Sequence, residues 1–345
     1  MIITDVRAMH VMLVVFDQDG MMISSIEKTL DSIEGIRLSI LYDGKGSLVQ
    51  EDLKHIDLVI VTGGDKGMLQ YFHKLAVDSP PVLGVYESDT TGFLAQVDVK
   101  DISNALRMVM NGKYKVEEVT RLAVNVDGKE LEPVLNDVAL FPSKSATLTE
   151  YKLKINGEDI WHDKSDGLII STPIGSTAYS LSAGGPIVLR SARVFVIVPV
   201  NSMDITRRPL VVNDDASIEV SEIISRYKCE VILDGGNRVV VKNMLRCYRH
   251  KYPARLIRLE GYSAASLLAK KVKLAEDMLG MPPSAKLVLK TLEYEGALNQ
   301  RELIARTMLP ARTVRLALNH LMKKGYVRRK ASLRDAREKI YELKI

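Results

Sequence analysis

Residues Asp57–Ala76 read DLVIVTGGDKGMLQYFHKLA. The apolar run Leu58–Val61 has the look of a buried strand, and it leads directly into Gly63-Gly64-Asp65; from Met68 to Ala76 a helical pattern resumes. A strand, a glycine turn and a helix make the repeating unit of open, mostly parallel α/β sheets, whose ligands sit outside the carboxyl ends of the strands. Paired glycines let backbone amides approach a phosphate, and the helix that follows turns its positive N-terminus to the same place. Gly63, Gly64, Lys66 and Gly67 are therefore candidate phosphate-binding residues. Asp65 repels a phosphate, but it suits a general base toward a hydroxyl, or a contact through Mg²⁺. The plainer alternative is a tight turn in which Asp65 caps the helix. The Walker pattern GxxxxGK[ST] and the dinucleotide pattern GxGxxG are both missing here.

The surrounding sequence extends the alternation. His10–Phe16 and Ile36–Tyr42 are strand-like, Ile23–Ile33 carries Ile26, Leu30 and Ile33 at helical spacing, and Pro81–Val85 starts another strand. After about Lys115 the texture changes. Arg121–Val126, Tyr151–Ile155, Gly167–Ser171, Ile187–Val200, Ala216–Val220, Cys229–Leu233 and Arg238–Val241 are short strand-like runs between turn residues, which predicts a β-rich domain of packed sheets. Ala264–Leu279 is helical again, and Pro282-Pro283 marks a boundary. The expected domains are thus 1–115 (α/β, phosphate side), 116–280 (β-rich) and 281–345.

The chain has 345 residues, 46% hydrophobic and 26% charged, which excludes disorder as its dominant state. Two cysteines are too few for a disulfide framework or a cysteine zinc site. The six histidines show no metal-ligand spacing, so no protein-held metal is expected. Without an apolar run of roughly 18–20 residues or a signal-peptide pattern, the expectation is a cytoplasmic protein with no membrane partner. We expect it to form a homo-oligomer. Residues 281–345 hold 15 Lys+Arg and 6 Asp+Glu, net +9, while the preceding residues hold 33 and 37, net −4. A basic module on a slightly acidic body fits a nucleic-acid footprint; a solvated tail or a dimerisation surface is the alternative.

Asp166–Val188 reads DGLIISTPIGSTAYSLSAGGPIV. Small hydroxyl residues and bare backbone of this kind suit a surface that reads ribose hydroxyls and an amide. This stretch resembles the NAD kinase signature STPTGSTAYxLSAGGPI, with Ile174 where Thr is usual. Leu135-Asn136-Asp137-Val138 resembles the family's asparagine–acidic motif, and Arg208-Pro209-Leu210 and Asp234-Gly235-Gly236 resemble two later landmarks. The order and spacing fit from about residue 10 to 275. The resemblance implies an α/β domain plus a β-rich domain with a returning C-terminal segment, and ATP-dependent transfer of phosphate to the adenosine-ribose 2′-hydroxyl of NAD. It implies Asp65 as the base, and a dinucleotide site lined by Asn136, Asp137, Lys164, Asp166, Thr172, Thr177, Ala178, Tyr179 and Ser182, with Mg²⁺ accompanying ATP. The family's Gly-Gly-Asp-Gly-Thr is altered to Gly63-Gly64-Asp65-Lys66-Gly67, placing Lys where a glycine allows positive φ or close phosphate approach, and removing a hydroxyl. Tyr86-Glu87-Ser88-Asp89-Thr90-Thr91 departs from the family before Gly92-Phe93-Leu94, and Gly236 stands where Gln is frequent. The same resemblance therefore also admits a non-catalytic NAD- or NADP-sensing regulator.

In the last module Ser284–Tyr294 reads as a helix with Leu287, Val288 and Leu292 on one face; Asn299-Gln300-Arg301-Glu302 has capping form; and Val314, Leu318 and Leu321 stripe a third helix begun at Pro310. Tyr326–Lys330 and Lys339–Leu343 read as strands around a basic loop. This order resembles a winged helix-turn-helix of the kind found in archaeal regulators. Arg312, Thr313, Arg315, Asn319 and Lys323 lie off the apolar stripe and could face a DNA major groove, while Arg328, Arg329 and Lys330 could meet phosphates from the wing. A winged-helix dimerisation module that binds no DNA is the alternative.

Overall fold

The computed structural model describes residues 8–16, 20–42, 53–87, 92–144, 147–263, 265–266, 268–269, 272–273, 276, 280–295, 297–331 and 339–343. The helix expected over 264–279 lies in large part outside the described residues, as do Ser88–Thr91 and the loop between the last two strands. Contacts divide the chain into two units, one of 1–85 with 94–260, the other of 86–93 with 261–345.

The first unit begins with β1 (Met9–Val15), α1 (Gly20–Asp31), β2 (Ile36–Tyr42), β3 (Leu58–Val61), α2 (Gly64–Lys74), β4 (Val82–Tyr86), β5 (Val97–Asp98), α3 (Ile102–Met110) and β6 (Tyr114–Val119). Then come β7 (Leu122–Val126), β8 (Lys129–Glu130), β9 (Asp137–Pro142), β10 (Thr149–Ile155), β11 (Glu158–Ser165), β12 (Gly167–Ser171), the single turn α4 (Tyr179–Ser182), β13 (Val194–Val200), β14 (Leu210–Asn213), β15 (Ile218–Ser225), β16 (Cys229–Leu233), β17 (Asn237–Val241), β18 (Met244–Arg249) and β19 (Ala254–Leu259).

One sheet runs β2-β1-β3-β4-β19-β6, with β5 beside β4. Its first strands are parallel, and β19 lies parallel to β4 and antiparallel to β6. All four residues of β3 are buried, as expected of a parallel strand covered on both faces. Ile26 and Leu30 of α1 and Ala105, Leu106 and Val109 of α3 share a core with Leu13, Ile60 and Leu83. Helix α3 was not foreseen, although Ile102, Ala105, Leu106 and Val109 sit at i, i+3, i+4 and i+7.

Two antiparallel sheets follow, ordered β11-β10-β15-β18-β7-β8 and β14-β13-β12-β9-β16-β17. Val124, Leu153, Val220 and Leu245 of the first meet Leu140, Ile170, Ile197 and Val231 of the second in one core, which makes a β-sandwich. Cys229 and Cys247 are free and buried in it. The run Ile187–Val200, expected as one strand, is a strand only from Val194. Val188 donates its N–H to Ser176 Oγ (3.0 Å), so that amide serves a loop and not a ladder.

The second unit contains α5 (Pro283–Glu295), β20 (Leu298–Asn299), α6 (Gln300–Thr307), α7 (Ala311–Lys323), β21 (Val327–Ala331) and β22 (Lys339–Leu343). The strands pair in the order β20-β22-β21. Ala285, Val288, Leu289 and Leu292 point α5 inward; Leu287, expected on that face, is 43% exposed because the helix register turns it outward. Val314, Leu318 and Leu321 are buried as the stripe predicts. Asn299 Oδ1 accepts from the Glu302 amide and Glu302 Oε2 accepts from the Asn299 amide (2.8 Å each), a reciprocal capping box. Gly325 takes φ +82° after the last residue of α7, as a C-terminal cap requires.

Loss of the cap gives a first test. Asn299→Ala should destabilise α6 by about 0.5–2 kcal/mol, read as faster amide hydrogen exchange over Arg301–Thr307 in the full chain. Unchanged exchange there would show that the box contributes nothing.

Candidate functional site

Helix α2 starts at Gly64, with Gly63 as its N-cap residue; their φ values are +61° and +84°. Asp65 does not cap the helix. It sits in the first turn, and its Oδ1 accepts hydrogen bonds from the Leu94 and Ala95 amides, at 2.7 and 2.9 Å. Those amides are themselves fixed from behind, because Arg258 of β19 donates to the Leu94 carbonyl (3.0 Å) and to Glu117 Oε2 (2.7 Å). The orientation of the Asp65 carboxylate is thus set by these two amides, which Arg258 in turn holds through the Leu94 carbonyl.

Lys66 is exposed and lies inside α2, and it is not among the positive-φ residues. The strained, glycine-like backbone expected at Lys66 is therefore not found: the left-handed work is done by Gly63 and Gly64, and a helical residue needs none. The tight position is Gly67, where a β-carbon would fall inside the Thr62 carbonyl group.

The signature stretch folds back against β9. Ser171 ends β12, the Thr172 amide donates to the Asn136 carbonyl (2.9 Å), and Thr172 Oγ1 donates to the Leu135 carbonyl (2.6 Å) and accepts from the Gly175 amide (3.2 Å). Thr172 is fully buried, so it shapes the turn from behind and does not line an open face, contrary to the expectation. Gly175 packs so closely on the Asn136 backbone that any β-carbon would collide with it. Ser176 donates to the Pro173 carbonyl (2.7 Å) and Thr177 to the Ile174 carbonyl (3.1 Å), so these hydroxyls also hold the turn.

What remains at the surface is a compact set. The Asn136 side chain is half-buried and makes no hydrogen bond among the described residues. Tyr179 stacks on Phe141 with ring centroids 5.8 Å apart. Burial raises the Tyr179 pKa, and the nearby carboxylates of Asp137 and Asp166 raise it further, so its phenol is a donor at neutral pH. Asp166 accepts from Asn201 Nδ2 (2.8 Å), Ala178 is half-buried, and Ser182 is exposed. Lys164 is half exposed and pairs with Glu150 Oε2 at 3.2 Å.

Asp234, which opens the Asp234-Gly235-Gly236 stretch, organises this surface from behind. Asp234 is nearly fully buried, and its carboxylate accepts from three consecutive amides, Leu135 (2.9 Å), Asn136 (2.7 Å) and Asp137 (2.9 Å). His73 Nε2, in the last turn of α2, lies 3.1 Å from Asp234 Oδ2. Arg121, also fully buried, donates to the Phe72 carbonyl and to the Leu75 carbonyl (2.6 Å), closing the C-terminal end of α2. Burial lowers the Arg121 pKa to about 10, with Asp234 and Tyr71 acting in the opposite sense. Local sequence shows none of these pairings, which join residues distant in the chain.

In the second unit Arg312, Arg315, Asn319 and Lys323 are exposed on α7, and Thr313 is half-buried. The wing departs from expectation. Arg328 pairs with Glu342 across the hairpin, and Lys330 Nζ lies 2.8 Å from Glu342 Oε1. Arg328 is only 15% exposed and pairs with Glu87 Oε2 (3.3 Å) as well as with Glu342; Arg329 is exposed, with no ion pair among the described residues.

Comparison with known proteins finds three family matches along the chain. Residues 8–114 match the ATP-NAD kinase N-terminal domain, 135–259 the ATP-NAD kinase C-terminal domain, and 279–338 the MarR family. An NAD kinase of Clostridium botulinum (strain Kyoto / Type A2) is 31% identical over 243 residues, covering 68% of this chain and 85% of the relative. An NAD kinase of Neisseria meningitidis (strain FAM18) is 32% identical over 232 residues, covering 66% and 78%. Among solved structures, an NAD kinase from Archaeoglobus fulgidus in complex with ATP superposes with TM-score 0.65 at 26% identity, over 77% of this chain and 99% of that one. Yeast NADH kinase complexed with NADH shares the fold, with TM-score 0.65 at 20% identity, over 80% and 89%.

Removing the Asp234 carboxylate should test its central place. Asp234→Ala leaves three amides without an acceptor, at about 1–3 kcal/mol for each that stays unsatisfied. A stability loss of roughly 3 kcal/mol or more is expected in urea unfolding, and a loss under about 1 kcal/mol would contradict the clamp.

Proposed function

Since this chain belongs to the NAD kinase family, we propose that it transfers the γ-phosphate of ATP to the 2′-hydroxyl of the adenosine ribose of NAD, giving NADP, and that residues 281–345 are a DNA-binding module. The observation that carries the kinase reading is the Asp65 carboxylate, held by two amides in the first turn of α2 beside a left-handed glycine pair. In this reading Asp65 takes the proton of the ribose hydroxyl as its oxygen attacks the γ-phosphorus, the bond to the bridging oxygen breaks, and ADP leaves with the electron pair. The amides at the start of α2 and the Lys66 ammonium offset charge on the phosphates. Asn136, Asp137, Asp166, Tyr179 and the backbone around Ala178 hold the dinucleotide, with Lys164 and Ser182 at the margin. Mg²⁺ enters with ATP as part of the substrate, because Mg²⁺ commonly binds through substrate phosphates. The reading places the protein in the cytoplasm as a homo-oligomer. No helix among the described residues is long and apolar enough to cross a membrane.

One observation favours a second reading. The family pattern needs a side chain at position 67, and here a β-carbon does not fit against the Thr62 carbonyl. A loop repacked in this way suits a domain that binds NAD or NADP without phosphorylating it and reports to DNA. Formation of NADP from NAD and Mg-ATP by the purified chain separates the two.

If the kinase reading holds, Asp65→Asn should lower turnover by about 10²–10⁴-fold with NAD affinity nearly unchanged. Turnover equal to wild type would remove Asp65 as the base.

For the DNA module, log K should fall with log salt by about 0.9 per phosphate neutralised. Arg329→Ala should weaken binding to all duplexes alike and flatten that slope by about 1. A slope unchanged by the substitution would take Arg329 out of the interface.

A further inference from the structure

Helix α7 carries one large apolar side chain on its outer face. Leu316 is 61% exposed, while Val314, Ala317, Leu318 and Leu321 supply the buried stripe. On an α-helix its nearest surface neighbours are the residues three and four positions away. These are Arg312 and Thr313 on one side and Asn319 and His320 on the other, with Arg315 adjacent in sequence and Lys323 two turns on. Core packing does not account for Leu316, since the stripe that closes the module is complete without it. A single exposed leucine is ordinary on a solvated face, but this one stands between Arg312 and Asn319 on a helix of a module that carries a net positive charge.

A DNA major groove offers the matching chemistry. Its edges present acceptors on guanine for arginine, a donor–acceptor pair on adenine for asparagine, and one apolar group, the thymine C5-methyl. Resting on the DNA-binding reading above, we propose that Leu316 is a specificity-determining residue that packs on a thymine methyl, within a base-reading face completed by Arg312, Arg315 and Asn319. The occupant is duplex DNA because the surrounding charge is positive and residues 281–345 carry a net +9. Leu316 then sets which base pair sits between those that the arginines and Asn319 read.

The test uses the full chain. A tight-binding duplex is selected from a randomised double-stranded pool, and each thymine in it is replaced in turn by deoxyuridine, which removes only the methyl group. Wild-type affinity should fall about threefold to fourfold at one or two positions, the effect of one unburied methyl. Leu316→Ala should lose a similar factor on the parent duplex and show no further loss on deoxyuridine at those positions. Its folding is checked by thermal melting, which an exposed helical Leu→Ala change should leave intact. Equal sensitivity of wild type and variant to deoxyuridine overturns the proposal and leaves DNA binding standing. The proposal also fails if the variant changes the subunit count while its deoxyuridine response stays that of wild type, because the leucine then serves a subunit contact. If no duplex is enriched over the random pool, the DNA-binding reading and this inference fail together.

Discussion

The buried carboxylate of Asp234 is the constraint on which the nucleotide site depends. Three successive amides at Leu135–Asp137 converge on it, and His73 approaches it from the last turn of α2. The first contacts fix the strand start that presents Asn136 and Asp137; the second ties the same point to the helix whose other end carries Asp65. A charge this deeply buried is costly unless fully hydrogen-bonded, and here the chain supplies the donors itself. Arg121 acts in parallel, anchoring the carbonyls at the end of α2 from the first residues of the sandwich. The Asp65 turn and the strand start at Asn136, the two ends of the candidate site, are held in register by buried polar contacts; a two-substrate reaction would need such fixed positioning.

The division of labour within the signature stretch follows from this. Its hydroxyls suggest a surface full of donors for a ligand, yet Thr172, Ser176 and Thr177 spend theirs on the turn. The stretch is built to hold a tightly folded backbone against Asn136, and Gly175 is needed because the two backbones touch. The half-buried groups at this surface are fewer: Asn136, Tyr179 and Asp166, while Asp137 is buried behind them.

Much of the architecture was legible because its signals are local. The buried strands before and after Gly63-Gly64, the capping box at Asn299 and the Val314-Leu318-Leu321 stripe each announce themselves within a few residues. Polar strands were not legible: Glu158–Ser165 reads EDIWHDKS and lies at the edge of its sheet, where no apolar alternation is imposed. Ile187–Val200 misled for the opposite reason, since apolar residues near Val188 serve a loop whose amide is already taken. The site's key partners were beyond reach, because Asp234 meets amides nearly a hundred residues away and Glu342 claims Arg328 from the facing strand. Lys66 shows the limit of arguing from a pattern: a substituted glycine suggested strain, but the local backbone is helical.

The late strand β19 has a consequence for how this chain is made. Among the described residues β6 pairs with no strand but β19, and β19 is what joins β6 to the first sheet. The chain must therefore run from Val119 through the whole sandwich to Ala254 before β6 can be added. At about 5–20 residues per second a ribosome spends on the order of ten seconds on that interval. During it, the two open strand edges are templates for wrong partners. The seven-stranded sheet is completed by its last-synthesised strand, so a nascent chain truncated before residue 254 cannot finish its first domain, however complete its phosphate loop.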